Sequence, residues 1–249
     1  MKRRLDFKLR QPDKLIKDFV YCFSSLQHFS NEHQAVIVPN GKIDLIFSKS
    51  QDEKVSVVLL GLETKPKFPN QEVSDFCSVS FNPLAVEYIL QCKAADIINS
   101  GKLMPAGFWE ITGEDLTNFD VFCAKITEKI SSLLPEKVDE RKSKLFELIF
   151  NSDGEISIAE LSDRISWSQR QINRYFNQHF GLSLKAYCKI LRFQASLSHI
   201  KEGNLYPQLN FTDQSHFIKE IQKFSGVSPK ELHQNKNDRF LQFLVYDQE

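Results

Sequence analysis

Short apolar runs separated by turn residues fill the first part of the chain. Residues 35–47 hold two such runs around a Pro-Asn-Gly turn, residues 55–60 form a third, and residues 73–81 alternate loosely before Asn-Pro. Runs of this length bounded by turn residues predict strands. Residues 84–98 instead carry apolar positions at helical spacing. The pattern predicts a mixed β-rich domain that covers residues 1–110.

Helical spacing dominates the chain after Trp109. Apolar residues recur three and four positions apart, at Leu116, Phe119, Phe122, Cys123, Ile126, Ile130 and Leu133. Pro135 ends this pattern, and helical spacing resumes over residues 144–150 after a charged stretch. We predict a helical linker over residues 111–143. Its apolar face either pairs with a second copy in a homodimer or packs on its own domain, and the sequence leaves both open.

An internal repeat organises the last third of the chain. Residues 168–185 and 213–230 align without a gap at an offset of 45. The matched pairs are Ile172 with Phe217, Arg174 with Lys219, Phe176 with Ile221, Gly181 with Gly226, Ser183 with Ser228, and Lys185 with Lys230. Two copies are too few for a solenoid. The repeat therefore predicts a tandem pair of small helical units.

Capping residues divide the first copy into two helices. A capping box at Ser157 opens a helix over residues 158–165, and a second box at Ser168 opens a helix that ends near His179. Two short helices joined by three or four residues form a helix-turn-helix. The first copy is therefore predicted to be one such unit.

The second copy carries similar but weaker signals. We predict a short helix over residues 205–209, a turn over residues 210–212, and a helix from Thr212 or Asp213 to Phe224. Ser228 begins a further capping box, with proline at the first helical position. A second helix-turn-helix follows from this pattern.

The exposed faces of the two longer helices are rich in amide and cationic groups. Residues 165–201 contain six Lys and Arg residues and no Asp or Glu, although the whole chain has 32 residues of each sign and no net charge. Such a local surface attracts phosphate, and amide and guanidinium groups form bidentate bonds to adenine and guanine edges. A solvated face without a partner has the same composition. The presence of two copies favours nucleic-acid binding.

Residues 156–232 resemble the DNA-binding domain of AraC-family transcription regulators. The resemblance is carried by residues 168–176 (Ser-Gln-Arg-Gln-Ile-Asn-Arg-Tyr-Phe), 180–185 (Phe-Gly-Leu-Ser-Leu-Lys), 191–193 (Leu-Arg-Phe), 213–217 (Asp-Gln-Ser-His-Phe) and 226–230 (Gly-Val-Ser-Pro-Lys). It implies a seven-helix domain over residues 144–235, with one long helix over 184–200 joining two helix-turn-helix units. Their recognition helices would enter successive major grooves about 34 Å apart.

The resemblance also implies which residues contact DNA. Base contacts are expected from Arg170 and Gln171 in the first unit, and from Gln214, Ser215 and His216 in the second. The remaining assigned residues are Arg174 and Lys219 on phosphate, Asn173 and Asn177 as extra contacts, and Ser168 and Asp213 at the two helix starts. Gln171 has a competing role in its capping box.

The chain departs from the family pattern mainly in the second unit. The bulky Tyr206, followed by Pro207, stands where a small residue is usual, whereas the first unit has Ser162. Ser166 and Asn210 replace the usual turn glycines. We therefore expect the second unit to dock differently or to read fewer bases, and the first unit to carry specificity.

The amino-terminal domain resembles the β-rich, cupin-like sensor half that is often fused to this DNA-binding domain. Residues 38–41 (Val-Pro-Asn-Gly), 44–47 (Asp-Leu-Ile-Phe) and 80–83 (Ser-Phe-Asn-Pro) match an uncharacterised domain type in such regulators. Its effector cannot be read from the sequence. His28 and His33 lack a spaced cluster of further ligands, so we expect no metal and no cofactor.

The expected fold class is α+β, with a β-rich domain, an all-α domain of two helix-turn-helix units, and a tail over residues 236–249. The expected function is sequence-specific transcriptional regulation in the cytoplasm, without enzymatic activity. Double-stranded DNA is the expected partner, RNA polymerase and a homodimer copy remain open, and no membrane partner is expected. Two alternatives remain: a protein-interaction module that no longer binds DNA, and a metal-dependent enzyme in the amino-terminal domain. The five scattered cysteines form no CxxC pair, and we expect them to be reduced and buried.

Overall fold

A computed structural model describes residues 6–27, 36–49, 54–68, 75–235 and 240. His28, His33 and most of the predicted tail over 236–249 lie outside these residues. The chain divides into two compact units, which we call the sheet unit and the helical unit. The sheet unit comprises residues 1–31, 42–61 and 72–138, and the helical unit comprises residues 32–41, 62–71 and 139–249.

The sheet unit is built on one antiparallel sheet of six strands. In chain order they are β1 (Asp6–Arg10), β2 (Val20–Gln27), β3 (Ile43–Lys49), β4 (Val55–Leu60), β5 (Phe76–Phe81) and β6 (Gly101–Leu103). Their order across the sheet is β1-β2-β5-β3-β4-β6, and each neighbouring pair runs antiparallel. With the helical unit, this confirms the predicted α+β class.

Alternation along the central strand β3 decides which face of the sheet is buried. Ile43, Leu45 and Phe47 are fully buried, whereas the residues between them are partly exposed. Helix α2 (Phe119–Ser132) covers this face, with the Phe122 ring 5.3 Å from that of Phe47 between centroids. The predicted linker helix therefore groups with the sheet. Pairing with a second copy stays a prediction, as do the predicted domain boundaries.

Two predictions for the amino-terminal part were wrong. The helix expected over residues 84–98 is a short helix, α1 (Pro83–Tyr88), followed by a single 3-10 turn at Ala94–Ile97. Gln91, at φ 48°, lies in the left-handed region that interrupts a helix. The strand expected over residues 35–38 begins outside the described residues, and residues 36–38 contain only isolated bridges at Val36 and Ile37, which belong to the helical unit.

The helical unit contains six helices over residues 140–234. They are α3 (Glu140–Asn151), α4 (Ile158–Ile165), α5 (Gln169–Phe180), α6 (Leu184–Lys201), α7 (Gln214–Ser225) and α8 (Pro229–Gln234). The predicted caps are confirmed at Ser157, Ser168 and Ser228, and both of the last two form reciprocal capping boxes. At the first cap, the Glu160 carboxylate pairs with Arg164 instead of closing the box.

The helix predicted over residues 205–209 was wrong, because these residues are not helical. Pro207 disfavours the α conformation of the residue before it, Tyr206, and so opposes a helix that begins at Leu205. Tyr206 also exposes 70% of its surface, so it supplies no apolar face to hold a helix against the core. Only six of the seven helices that the resemblance implies are therefore present between residues 140 and 234.

Two segments from the first part of the chain belong to the helical unit, residues 36–41 and 62–68. The hydroxyl of Tyr187 on α6 donates a buried hydrogen bond of 3.0 Å to the carbonyl oxygen of Gly41. The side-chain amide of Gln194 donates to the carbonyl oxygen of Pro39. These bonds hold residues 36–41 along α6.

The Tyr187 bond predicts a measurable stability effect. Tyr187→Phe removes the donor and leaves the buried Gly41 carbonyl without it, which should cost about 1 kcal/mol of unfolding free energy. Denaturant unfolding of the two proteins measures the difference. Tyr206→Phe is the matched control, because this ring is exposed and should change stability by less than about 0.5 kcal/mol. Equal stability of the wild type and Tyr187→Phe would contradict the assigned bond.

Candidate nucleic-acid interface

The first recognition helix, α5, turns one apolar face inward and one polar face outward. Its buried residues are Ile172, Tyr175, Phe176 and Phe180. They lie at the three- and four-residue spacing that places side chains on one side of a helix. Phe146 of α3 packs on the same cluster, 5.8 Å from Phe176 between ring centroids. The orientation of α5 is therefore fixed by its core face.

The outward face of α5 carries most of the predicted DNA-contacting residues of the first unit. Arg170, Arg174 and Asn177 are exposed, and Asn173 is partly buried. The Asn177 amide donates to the carbonyl oxygen of Asn173. Among the described residues, neither guanidinium forms a hydrogen bond or an ion pair. Arg170 and Arg174 are four residues apart, so both guanidinium groups project from the same side of the helix.

Gln171 is held by the start of α5. Its Oε1 accepts from the backbone N–H of Ser168 at 2.8 Å and from the hydroxyl of Ser168 at 2.9 Å. The Ser168 hydroxyl in turn caps the backbone N–H of Gln171. Ser168 and Gln171 therefore complete a capping box, and only the Gln171 amide nitrogen is left to reach a ligand.

The second recognition helix, α7, repeats the register of α5. Both helices have 12 residues, begin 45 positions apart, and end at a left-handed glycine, Gly181 or Gly226. Asp213 caps α7 through a 2.8 Å bond from the backbone N–H of His216. Phe217, Ile221 and Phe224 form its buried face.

The outward side of α7 differs from that of α5. Ser215 and Lys219 are exposed, but Gln214 and His216 are partly buried. The Gln214 amide nitrogen donates to the carbonyl oxygen of Leu205 at 2.9 Å. The His216 Nδ1 accepts from the backbone N–H of Thr212 at 3.3 Å. Two of the three predicted base-contacting residues of this unit thus bind their own loop.

The bridging helix α6 connects the two units. Tyr187 packs on Phe176 of α5 with ring centroids 5.5 Å apart, and Phe193 packs on Phe224 of α7 at 5.3 Å. Its 18 residues span about 27 Å. Both recognition helices therefore pack on one continuous, buried element.

Two cations of α6, Lys189 and Arg192, belong to the predicted electropositive surface over residues 165–201. In the structure they hold the second unit instead. The Lys189 ammonium lies 3.0 Å from the Glu220 carboxylate of α7, with side chains only 25% and 13% exposed. The Arg192 guanidinium donates to the carbonyl oxygen of Asn210 at 3.0 Å. These contacts depend on how α7 and the loop before it fold, so the residue types alone do not predict them. Lys185 remains exposed.

Two family models match this chain. Residues 161–235 match a model described as "Helix-turn-helix domain", and residues 8–101 match one described as "Domain of unknown function (DUF6597)". The carboxyl-terminal domain is an AraC-type helix-turn-helix domain. The chain is accordingly an AraC-type DNA-binding transcriptional regulator. This assignment makes an enzyme the weaker interpretation.

Solved structures similar to this AraC-type regulator include those of ToxT from Vibrio cholerae. ToxT of strain O395 is 12% identical, with coverage of 94% of this chain and 98% of that chain and a TM-score of 0.45. Wild-type ToxT of strain SCE256 bound to an unsaturated fatty acid is 14% identical, with coverage of 92% and 93% and a TM-score of 0.46. Both similarities are distant. No curated protein matches the sequence significantly.

The regulator's thiols lie mostly in its interior. Cys22, Cys77, Cys123 and Cys188 are buried, as predicted, whereas Cys92 is only partly buried. Burial raises the pKa of Cys188 to about 11, so this thiol stays protonated at neutral pH. Among the described residues, no group of three or more His, Cys, Asp and Glu side chains is placed to hold a metal ion. The described helices include none long and apolar enough to cross a membrane.

The Lys189–Glu220 pair predicts a coupled stability effect. Lys189→Met leaves the poorly exposed Glu220 carboxylate without its cation and should cost about 1–3 kcal/mol. Adding Glu220→Gln should recover part of this loss, because removing both charges costs less than removing one. Denaturant unfolding of the two single variants and the double variant measures the coupling. Strictly additive effects would contradict a direct interaction.

Proposed function

We propose that this regulator binds duplex DNA with α5 in one major groove and α7 on the next turn of the same face. The exposed guanidinium groups of Arg170 and Arg174, which have no hydrogen-bond or ion-pair partner within the described part of the chain, carry this proposal. They have the charge and shape to bind phosphate and guanine edges. The rigid connection through α6 supports a fixed separation. Successive major grooves on one face lie about 34 Å apart.

The proposed contacts follow the two outward faces. In the first unit, Arg170 contacts a base edge and Arg174 a phosphate, while Gln171, Asn173 and Asn177 are secondary contacts and Ser168 begins the helix. In the second unit, Lys219 contacts phosphate, and Gln214, Ser215 and His216 are the residues nearest the groove after Asp213. We also propose that the protein acts in the cytoplasm, on DNA that is accessible there. Contacts with RNA polymerase, a homodimer copy or an effector remain predictions.

Arg170 provides the direct test of base reading. Arg170→Ala should weaken operator binding by about 1–3 kcal/mol and relax the preference at one base position. Arg170→Lys is the matched control, because it keeps the charge but loses the planar fork, so it should recover affinity more than base preference. Gel-shift titrations against operator variants measure both quantities. Unchanged binding by Arg170→Ala would show that α5 does not read the base assigned to it.

Lys219 tests phosphate contact by the second unit. Lys219→Ala should weaken binding to all sequences by a similar factor and reduce the slope of log K against log salt by about 1. Titrations at several salt concentrations measure this slope. An affinity that varies with sequence but keeps its salt slope would contradict a phosphate role. Absence of DNA binding even at low salt would instead favour the protein-interaction alternative.

A further inference from the structure

In the second unit, a loop before α7 replaces the expected first helix. Three side chains bind this loop. Residues 203–213 contain no helix. The Asn210 carbonyl accepts from Arg192 and its backbone N–H donates to the Glu155 carboxylate. Gln214, the first residue of α7, binds the Leu205 carbonyl. The loop therefore depends on a residue that would otherwise be available to read a base.

Gln214 is turned away from the position that base reading requires. A glutamine recognises adenine by using both its amide nitrogen and its amide oxygen. Here Nε2 donates to Leu205, and Oε1 is buried without a hydrogen-bond partner among the described residues. Reading adenine would require the side chain to leave the loop.

His216 is similarly engaged by the loop. Its Nδ1 accepts from Thr212, and its ring lies 5.8 Å from that of Phe211 between centroids. Phe211 also packs on the buried Phe217 at 5.1 Å. Only Nε2 of the His216 ring is left to meet a ligand.

The side chains that α7 exposes are better suited to bind DNA phosphates than base edges. Lys219 and Lys223 are exposed ammonium groups, and Ser215 is a short hydroxyl. Both cations can bind guanine O6 and N7. The arginine fork does so with a fixed planar geometry, whereas a lysine ammonium acts as a point charge on a flexible stem, which suits phosphate. Of the two recognition helices, α5 carries two exposed arginines, Arg170 and Arg174, and α7 contains no arginine.

We infer that α7 contacts the sugar-phosphate backbone and reads few bases. The base positions that determine specificity, guanine among them, then lie in the major groove that α5 occupies. This inference rests on the proposed function and specifies how that function is divided. The binding site would then consist of one half-site with a defined base sequence, next to a second turn of DNA that the protein contacts without base preference. The loop over residues 203–213 is the physical reason for the asymmetry.

Selection of binding sites from randomised duplexes by the full-length chain tests this division. The expected result is one block of specific positions that contains guanine, next to a protected turn without base preference. Arg170→Ala should change the selected block, whereas Gln214→Ala should select the same block as the wild type. Thermal unfolding of both variants checks that they fold. Gln222→Ala, at an exposed α7 position outside the proposed contacts, is the matched α7 control and should also leave the block unchanged.

Two outcomes would overturn the inference in different ways. A second block of equal specificity one turn away, which changes in Gln214→Ala, would show that α7 reads bases and would leave the proposed DNA binding intact. Failure of the wild-type chain to enrich any duplex at low salt would refute the proposed function together with the inference.

Discussion

Aromatic packing on α6 determines where both recognition helices lie. Tyr187 and Phe193 contact α5 and α7 respectively, and both side chains are buried. They are six residues apart, which is about 9 Å along the axis and a rotation of about 120° between their faces. Since a helix is stiff over this length, the two recognition helices are fixed in separation and in angle by one element.

The polar contacts of α6 refine this arrangement and change the charge available for DNA. Lys189 and Arg192 are used to hold α7 and its loop. The positive charge that remains on the exposed sides of the two recognition helices is concentrated on Arg170 and Arg174 of α5 and on Lys219 and Lys223 of α7. A chain with no net charge can thus present a positive surface, because its cations are distributed by packing.

The sequence predicted the parts of the fold that depend on local chemistry. Ser168 and Gly181 mark the ends of α5 through capping and left-handed geometry, and both signals recur 45 residues later. The residue pattern did not predict that residues 205–209 fail to form a helix, although Pro207 disfavours the helical conformation of the residue before it. That outcome depends on Tyr206 finding no core to pack against.

The candidate site was also only partly predictable. Arg170 and Arg174 face outward as their helical spacing requires, whereas Gln214 turns inward because the non-helical loop offers it the Leu205 carbonyl. The inclusion of residues 36–41 in the helical unit was likewise not visible, because their bonds to Tyr187 and Gln194 join positions about 150 residues apart. Such contacts arise from tertiary packing, which residue patterns do not encode locally.

Hydroxyl-radical footprinting of the full-length chain on a selected duplex measures the separation at which α5 and α7 contact the DNA. The rigid placement of α5 and α7 on α6 predicts two protected backbone patches on one face of the DNA, about 10 base pairs apart. A single protected patch, or patches on opposite faces of the duplex, would show that α6 does not hold the two helices at this separation.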